Sequence, residues 1–524
     1  MDLWLLALAL IAAYPVVAAG ICFLFIYTER RRYVRHHLVA QSDVADHHSG
    51  EKTVTIGVFH PYANGGGGGE RVMYCALVAL VKYFKELKAE PTETASGSDN
   101  KPRVYRVELL LYSGDDGLST KELLDRAAER FNLPDLHQYR VDLQVRLVPL
   151  ANREVLDPGL YLRFTLFWQS IAHIRLALTA FRTSEKLGLY PQVWIDTTGC
   201  PFSYLVASVR FGCTVVAYVH YPMISTDMIA KVQTRATDFN NNATVAFSST
   251  RSFAKYIYYR IFAATYTLVG KYCTDIVMVN STWTYNHVKQ LWGGKPAIVY
   301  PPCGSMEEFM QFDIENREPL ALSISQFRPE KNQLLQLQAM KVLLTKYATK
   351  MNTTHKDFKL IMLGSCRNAD DEARIETLKE QCVELGLTGR VEFVVNASFA
   401  ELKQYLARSS VGIHTMYNEH FGIGVVEMMA AGLLVVANNS GGPAADIVRP
   451  DTGYLALTAD EYADKMLAIL EQDASAARAM RARCRQASGR FSDSEFGAQF
   501  IAAMDAVLRR VSGNGDHGLG KKAM

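Results

Sequence analysis

A chain of 524 residues, 49% of them apolar, is long enough for two core-forming domains with further segments attached. Its formal charge of +3, from 56 basic and 53 acidic residues, excludes a dedicated nucleic-acid binder, which would concentrate basic surface. The nine cysteines are scattered without a Cys-x-x-Cys pair or metal-ligand spacing, a pattern of reduced thiols in a cytosolic compartment and not of a disulfide framework.

The chain opens on an uncharged run from Leu3 to Tyr27, long enough to cross a bilayer. Arg30, Arg31, Arg32 and Arg35 follow it, whereas only Asp2 precedes it. The positive-inside bias therefore predicts a transmembrane anchor over residues 1–28 with the downstream chain in the cytosol. A cleaved signal peptide would want a basic leading region and a shorter apolar core. Pro15 and Gly20 are tolerable in a membrane helix, and the polar residues 29–50 read as a linker.

From residue 51 onward strands and helices alternate. Val54 to Phe59 reads as a buried strand and Glu70 to Phe84 as an amphipathic helix, with Asn64 and the run Gly65 to Gly69 between them. Strand, glycine run, helix is a phosphate-cradling context, which makes Gly66, Gly67, Gly68 and Gly69 a candidate acceptor or phosphate loop. A flexible linker would have the same composition, and no Lys-Ser/Thr follows to make a Walker loop. Pro91 to Lys101 reads as a surface insertion. Further strands are expected at Val104 to Tyr112, Leu143 to Val148, Val193 to Asp196, Thr214 to His220 and Ile276 to Val279. Two aromatic stretches with interspersed charge, Tyr161 to Phe181 and Phe253 to Val269, fit either core helices or helices at a membrane interface.

A second array begins near Leu320. Strands are expected at Leu320 to Ser325, Lys359 to Leu363, Val391 to Val395, Val411 to His414 and Leu433 to Ala437, with helices such as Asn332 to Leu344 and Glu372 to Leu385 between them. Two βα arrays predict an α/β protein of two parallel-sheet, Rossmann-like domains facing a cleft. The expected domains are 51–303 and 304–490, with the boundary near Pro301 to Pro319 and a C-terminal helix and disordered tail over 491–524.

Two motifs carry chemistry. Arg328 and Lys331, three apart just past a strand end, are expected to project from one turn into the cleft, where paired cations would stabilise a departing diphosphate without a metal. No Asp-x-Asp triplet occurs, so no divalent ion is expected. The stretch Asn418 to Glu427 places Glu419 and Glu427 eight positions apart. It reads as a loop and a helix N-terminus whose amides can face an anion, with Glu419 in the first turn and Glu427 about two turns in. That arrangement suits a nucleotide-sugar.

Glu419-x7-Glu427 followed by Asn439-Ser440-Gly441-Gly442-Pro443 resembles the retaining glycosyltransferases with two Rossmann-like domains, the GT-B fold. Tyr218-Val219-His220-Tyr221-Pro222, Ser225-Thr226-Asp227-Met228, the segment Ser325 to Asn332, Gly364-Ser365-Cys366-Arg367-Asn368 and the segment His414 to Phe421 narrow it. Together they closely resemble the eukaryotic α-1,2-mannosyltransferases that extend the dolichyl-diphosphate-linked oligosaccharide from GDP-mannose, over about residues 54 to 500. The resemblance implies that Glu419 holds the sugar hydroxyls and Glu427 the ribose. It implies that Phe421, Gly422 and Ile423 offer amides, that His220 lies near the reacting carbon, and that the glycine loop meets the phosphates. It also implies an acceptor-binding first domain, a donor-binding second domain, the Man3GlcNAc2 to Man5GlcNAc2 stage of protein N-glycosylation, the endoplasmic reticulum membrane, and company with other early mannosyltransferases. Alternatives in the same pattern are a transferase or phosphorylase with another donor or acceptor, and a non-catalytic scaffold of a glycosylation complex.

Overall fold

The computed structural model describes residues 51–89, 104–115, 117–138, 144–235 and 248–512. The expected anchor, linker and surface insertion, and residues 513–524 of the expected tail, lie outside the described residues. No helix among the described residues is long and apolar enough to cross a membrane.

Seven parallel strands form the first sheet: β1 (Glu51–Phe59), β2 (Val104–Ser113), β3 (Gln144–Pro149), β4 (Val193–Asp196), β5 (Thr214–Val219), β6 (Ile276–Val279) and β7 (Ala297–Ile298), in the order β3-β2-β1-β4-β5-β6-β7. Six parallel strands form the second: β8 (Glu318–Ile324), β9 (Lys359–Gly364), β10 (Val391–Val395), β11 (Ser409–His414), β12 (Leu434–Asn438) and β13 (Gly453–Ala456), in the order β10-β9-β8-β11-β12-β13. β11 and β12 are buried at every residue, as parallel strands covered by helices on both faces are; β12 reads as an apolar run, whereas β11 buries Ser409, Ser410 and His414 around its apolar centre.

Strand order reverses between β1 and β4 in the first sheet and between β8 and β11 in the second. At such a switch point the two neighbouring connections leave on opposite faces and open a crevice beyond the strands' C-terminal ends. The glycine run follows β1, Arg328 and Lys331 follow β8, and Glu419 follows β11. Topology alone therefore gathers the candidate residues of each domain at one crevice.

Seven helices matter for the site: α1 (Gly68–Ala89), α2 (Thr165–Lys186), α3 (Thr226–Gln233), α4 (Ser249–Tyr272), α5 (Thr282–Trp292), α6 (Ile423–Ala430) and α7 (Asp493–Ser512). α1 starts two residues earlier than its amphipathic pattern predicts, taking Gly68 and Gly69 into its first turn. The helix expected past residue 490 doubles back to the first domain, where Phe496, Phe500, Met504 and Leu508 join Val72, Met73 and Leu77 of α1 in one core. Arg71 donates to Asp493 at 2.5 Å, tying this helix to the base of the glycine loop.

The two aromatic stretches form α2 and α4. Each buries one apolar side, through Leu176, Ala177 and Phe181 in α2 and Phe262, Tyr266 and Val269 in α4. Each also leaves large apolar side chains in solvent: Leu162 is fully exposed ahead of α2, with Phe164, Phe167 and Trp168, and α4 exposes Phe253, Ile257 and Ile261 at a four-residue spacing. Phe164 packs edge-on against Tyr258 at 5.4 Å, and the Phe167 amide donates to the Tyr258 hydroxyl, so the exposed groups meet on one face. Arg163 and Arg260 are exposed beside them.

Candidate active site between the two domains

The loop from β11 to α6 is set by backbone geometry. Gly422 caps α6 with φ of 110°, a conformation that side chains avoid, so the helix cannot extend back towards Glu419. Glu419 therefore lies in the loop and not in a first helical turn, and Glu427 sits about one turn into α6 instead of two. The Asn439 to Pro443 segment lies directly beneath this loop. Gly442 donates its amide to the Glu419 carbonyl at 2.7 Å, and the Asn418 amide donates to the Ser440 hydroxyl at 2.8 Å. A Cβ at Gly441, whose φ is 63°, would stand 2.3 Å from the Glu419 carbonyl oxygen. Gly441→Ala is accordingly expected to displace Glu419, lowering kcat at least about tenfold together with the Tm. Unchanged kinetics and melting in that variant would show that the glycine pair does not fix the loop.

Glu419 is the hub of the second domain's half of the site. Its carboxylate accepts from Lys331 Nζ at 2.5 Å and pairs with His414 Nε2 at 3.2 Å. Burial works to raise this carboxyl, but the hydrogen bond from His414 and the charge of Lys331 prevail and hold it well below the usual range. Lys331 is placed by Thr415, whose hydroxyl donates to the carbonyls of Lys331 and Asn332 at 3.0 and 3.1 Å. Arg328 does not join them. The residue before Pro329 is held extended (φ −126°, ψ 153°), its guanidinium stands 3.5 Å from Glu330, and it does not border the cavity that Lys331 and Glu419 line. The expectation that both cations project from one turn is met only by Lys331.

Glu427 has a different environment. Burial pushes its carboxyl up to about 7, with only partial compensation from Arg71 across the cleft. Its helix begins with the Ile423 and Gly424 amides, which precede the first intrahelical donor, Val425 to the Gly422 carbonyl. Those amides are of the kind that receive an anion.

The first domain supplies the facing wall. The glycine loop is drawn into shape by Glu70, which accepts from the Gly67 amide at 2.8 Å and faces His60 Nε2 at 3.6 Å. Burial would raise the Glu70 carboxyl, yet these partners keep it below its ordinary value. Gly68 approaches the second domain so closely that a Cβ there would lie 2.8 Å from Ile423 Cδ1. His220, just past β5, donates from Nε2 to the Thr197 carbonyl at 3.0 Å, and burial pushes its ring down to about 4. A neutral imidazole beside Gly69 follows at physiological pH.

Of the site residues expected from sequence, all but Arg328 border one cavity of 1190 Å³ that takes walls from both domains: Gly66 to Gly69 and His220 from the first, and Lys331, Glu419, Phe421, Gly422, Ile423 and Glu427 from the second. Among the described residues no group of three or more His, Cys, Asp or Glu side chains is arranged to hold a metal ion. Sequence reasoning missed His414, Arg71 and the His60–Glu70 pair. His414 ends a parallel strand at the switch point, a position from which its role could have been read. Glu70 stands three residues after Gly67, a spacing that reaches a loop amide.

With this geometry in view, comparisons with known proteins are specific. Residues 53–292 match the model described as ALG11 mannosyltransferase N-terminus, and residues 305–489 match glycosyl transferases group 1. The mouse protein named GDP-Man:Man(3)GlcNAc(2)-PP-Dol alpha-1,2-mannosyltransferase is 41% identical over 486 residues, covering 91% of this chain and 92% of that protein. Its namesake from Xenopus laevis is 38% identical over 513 residues, covering 96% and 97%. Among solved structures, sucrose-phosphate synthase from Thermosynechococcus elongatus superposes with a TM-score of 0.56, covering 88% of this chain and 100% of that one. At 16% identity that likeness shows the fold alone, two facing parallel-sheet domains of the GT-B kind. The chain belongs to the family of GDP-Man:Man(3)GlcNAc(2)-PP-Dol alpha-1,2-mannosyltransferases.

Proposed function

We propose that the chain is a retaining α-1,2-mannosyltransferase that moves mannose from GDP-mannose to the dolichyl-diphosphate-linked oligosaccharide, at the Man3GlcNAc2 to Man5GlcNAc2 stage. The observation that carries this reading is the Lys331–Glu419 pair, set beside the open first turn of α6 and facing the glycine loop across one cavity. Lys331 takes up charge as the diphosphate departs, and the Ile423 and Gly424 amides add fixed dipoles. The Arg328–Glu330 contact is part-exposed and weak, which leaves that guanidinium free to turn to the diphosphate once a donor binds. Glu419 orients the mannose hydroxyls. His220, being neutral, offers hydrogen bonds and not charge. No side chain is assigned as a covalent nucleophile; the acceptor attacks from the face the diphosphate leaves, and its proton passes to the leaving phosphate.

The purified protein, given radiolabelled nucleotide-sugars and a lipid-linked trimannosyl acceptor, is expected to transfer mannose from GDP-mannose and to keep its activity in excess EDTA. Transfer from another donor in preference would overturn the substrate assignment. Loss in EDTA with rescue by Mn²⁺ or Mg²⁺ would remove the metal-free role of the cations. Absence of transfer from every donor would favour the scaffold reading.

The same reading places the body on the cytosolic face of the endoplasmic reticulum, held by the run Leu3 to Tyr27 and resting on the apolar face of α2 and α4. Aromatic and aliphatic groups flanked by arginines suit the headgroup region, where a polyprenyl-linked sugar is met. Protease added outside sealed microsomes is expected to digest residues 51–512, and full protection of that body would refute the topology.

A further inference from the structure

A second cavity, of 370 Å³, opens between the domains beside the first. Its first-domain wall comes from α3, Tyr221 and Trp283 of α5, and its second-domain wall from the loops around Asn332 and Tyr417. His420 borders both cavities, while Asn332 and Asn418 are the chain neighbours of Lys331 and Glu419. A molecule in this pocket therefore meets the donor cavity at the point where the catalytic carboxylate sits.

The lining selects a chemical class. Tyr221 and Trp283 lie nearly parallel, 7° apart with centroids at 5.8 Å, and His420 stacks on Tyr221 at 4.0 Å. Tyr417, 56% exposed, stands at the rim with Lys231 Nζ 5.6 Å from its ring centre. Polar groups line the same pocket. The Asp227 carboxylate accepts from Asn418 Nδ2 at 2.8 Å across the domain interface, and His287 stands 3.7 Å away. The lining carries two carboxylates, Asp227 and Glu330, against one lysine, Lys231, with Arg328 3.5 Å from Glu330, so it holds no excess of positive charge to draw a phosphate. Rings for apolar C–H faces, with carboxylate and amide for hydroxyls, describe a receptor for a neutral pyranose. The volume lies at the lower end of ligand pockets, about 300–1,000 Å³, and admits a sugar or a disaccharide but not a whole oligosaccharide.

We propose that this pocket is the subsite for the outer mannose residues of the acceptor glycan, holding the chain end so that its hydroxyl enters the donor cavity past His420. The proposal rests on the transferase reading above. It assigns Asp227 and Asn418 to the acceptor hydroxyls and Tyr221, Trp283 and Tyr417 to its apolar faces. Because Asp227 and Asn418 belong to different domains, an occupied pocket also requires the domains to stand as they do here.

The test varies the lipid-linked trimannosyl acceptor at saturating GDP-mannose, and then GDP-mannose at saturating acceptor, for Tyr417→Ala and Trp283→Ala. The acceptor KM is expected to rise about tenfold or more in each, while the donor KM moves less than about twofold. Tyr417 is an exposed ring, so its variant decides the matter should Trp283→Ala fail to fold. As a second readout, the lipid-free trimannosyl pentasaccharide is expected to change the tryptophan emission of the unsubstituted protein, and Trp283→Phe to abolish that change. Unaltered acceptor KM in Tyr417→Ala, or a rise confined to the donor KM, would overturn the subsite while leaving the transferase intact. An unsubstituted protein that transfers no mannose and shows no emission change would remove both.

Discussion

Lys331→Ala is expected to lower kcat by roughly 10²-fold or more, the size of effect seen when one preorganised charge-stabilising group is deleted. The charge on the leaving diphosphate grows only as the glycosidic bond breaks, so the loss belongs mainly to kcat and less to the donor KM. Structure adds a complication that sequence did not contain. Lys331 is the salt-bridge partner of Glu419, both largely buried, and its removal leaves that carboxylate supported by His414 alone. An uncompensated buried charge destabilises, so Lys331→Ala should also melt earlier. The double variant Lys331→Ala/Glu419→Gln separates the effects. With no carboxylate left to strand, its Tm should recover towards that of the parent, while kcat stays at or below that of Lys331→Ala. Turnover within about tenfold of the parent for Lys331→Ala would rule out this lysine as the chief stabiliser of the departing phosphate.

The parts of this molecule that were legible in sequence are those written in local pattern. A parallel strand covered on both faces favours an apolar run, so β12 announced itself, while β11 showed only Val411 to His414 and not the buried Ser409 and Ser410. The two-residue β7 is too short to leave a pattern, and β13 carries only a weak apolar run at Gly453 to Ala456. Lys331 and Glu419 were legible because each follows a strand end; that they bond to each other across 88 positions was not. The misplacement of Glu419 into a helical turn has a specific cause. Gly422 looks like an ordinary glycine in an apolar run until its positive φ shows that it starts the helix. Contacts such as Arg71–Asp493, 422 positions apart, and Asp227–Asn418, 191 apart, join elements that lie far apart along the chain. Nothing local encodes them. Arg328 shows another limit: spacing put it beside Lys331, but its contact with Glu330 could not be read from that spacing.

The two glutamates should separate kinetically. Glu419 is held ionised by Lys331 and His414, and on the proposed reading it orients the transferred sugar, where orientation matters most in the transition state. Glu419→Gln, nearly isosteric, is expected to lower kcat by ~10²-fold, more than it raises KM. The family resemblance implies that Glu427 holds the ribose, whose charge does not change in the reaction; on that reading Glu427→Gln should raise the GDP-mannose KM about tenfold with kcat nearly intact. The pH profile sharpens the contrast. Burial lifts the Glu427 carboxyl from its ordinary 4.5 to about 7, so it is neutral below that point and a strong hydroxyl acceptor above it. The donor KM should therefore rise as pH falls through about 7, and Glu427→Gln should abolish that dependence. A nucleotide-sugar diphosphate does not itself titrate there. The stability sign is opposite to that of a salt-bridged acid. Between 4.5 and 7 the folded chain holds more protons than the unfolded one, so Glu427 costs stability as pH rises through that window. Urea unfolding of Glu427→Gln should lack this decline and leave the variant the more stable protein above pH 7. Equal kinetic behaviour of the two variants, or a parent whose donor KM is flat from pH 6 to 8, would show that burial of Glu427 serves packing and that the ribose is held elsewhere.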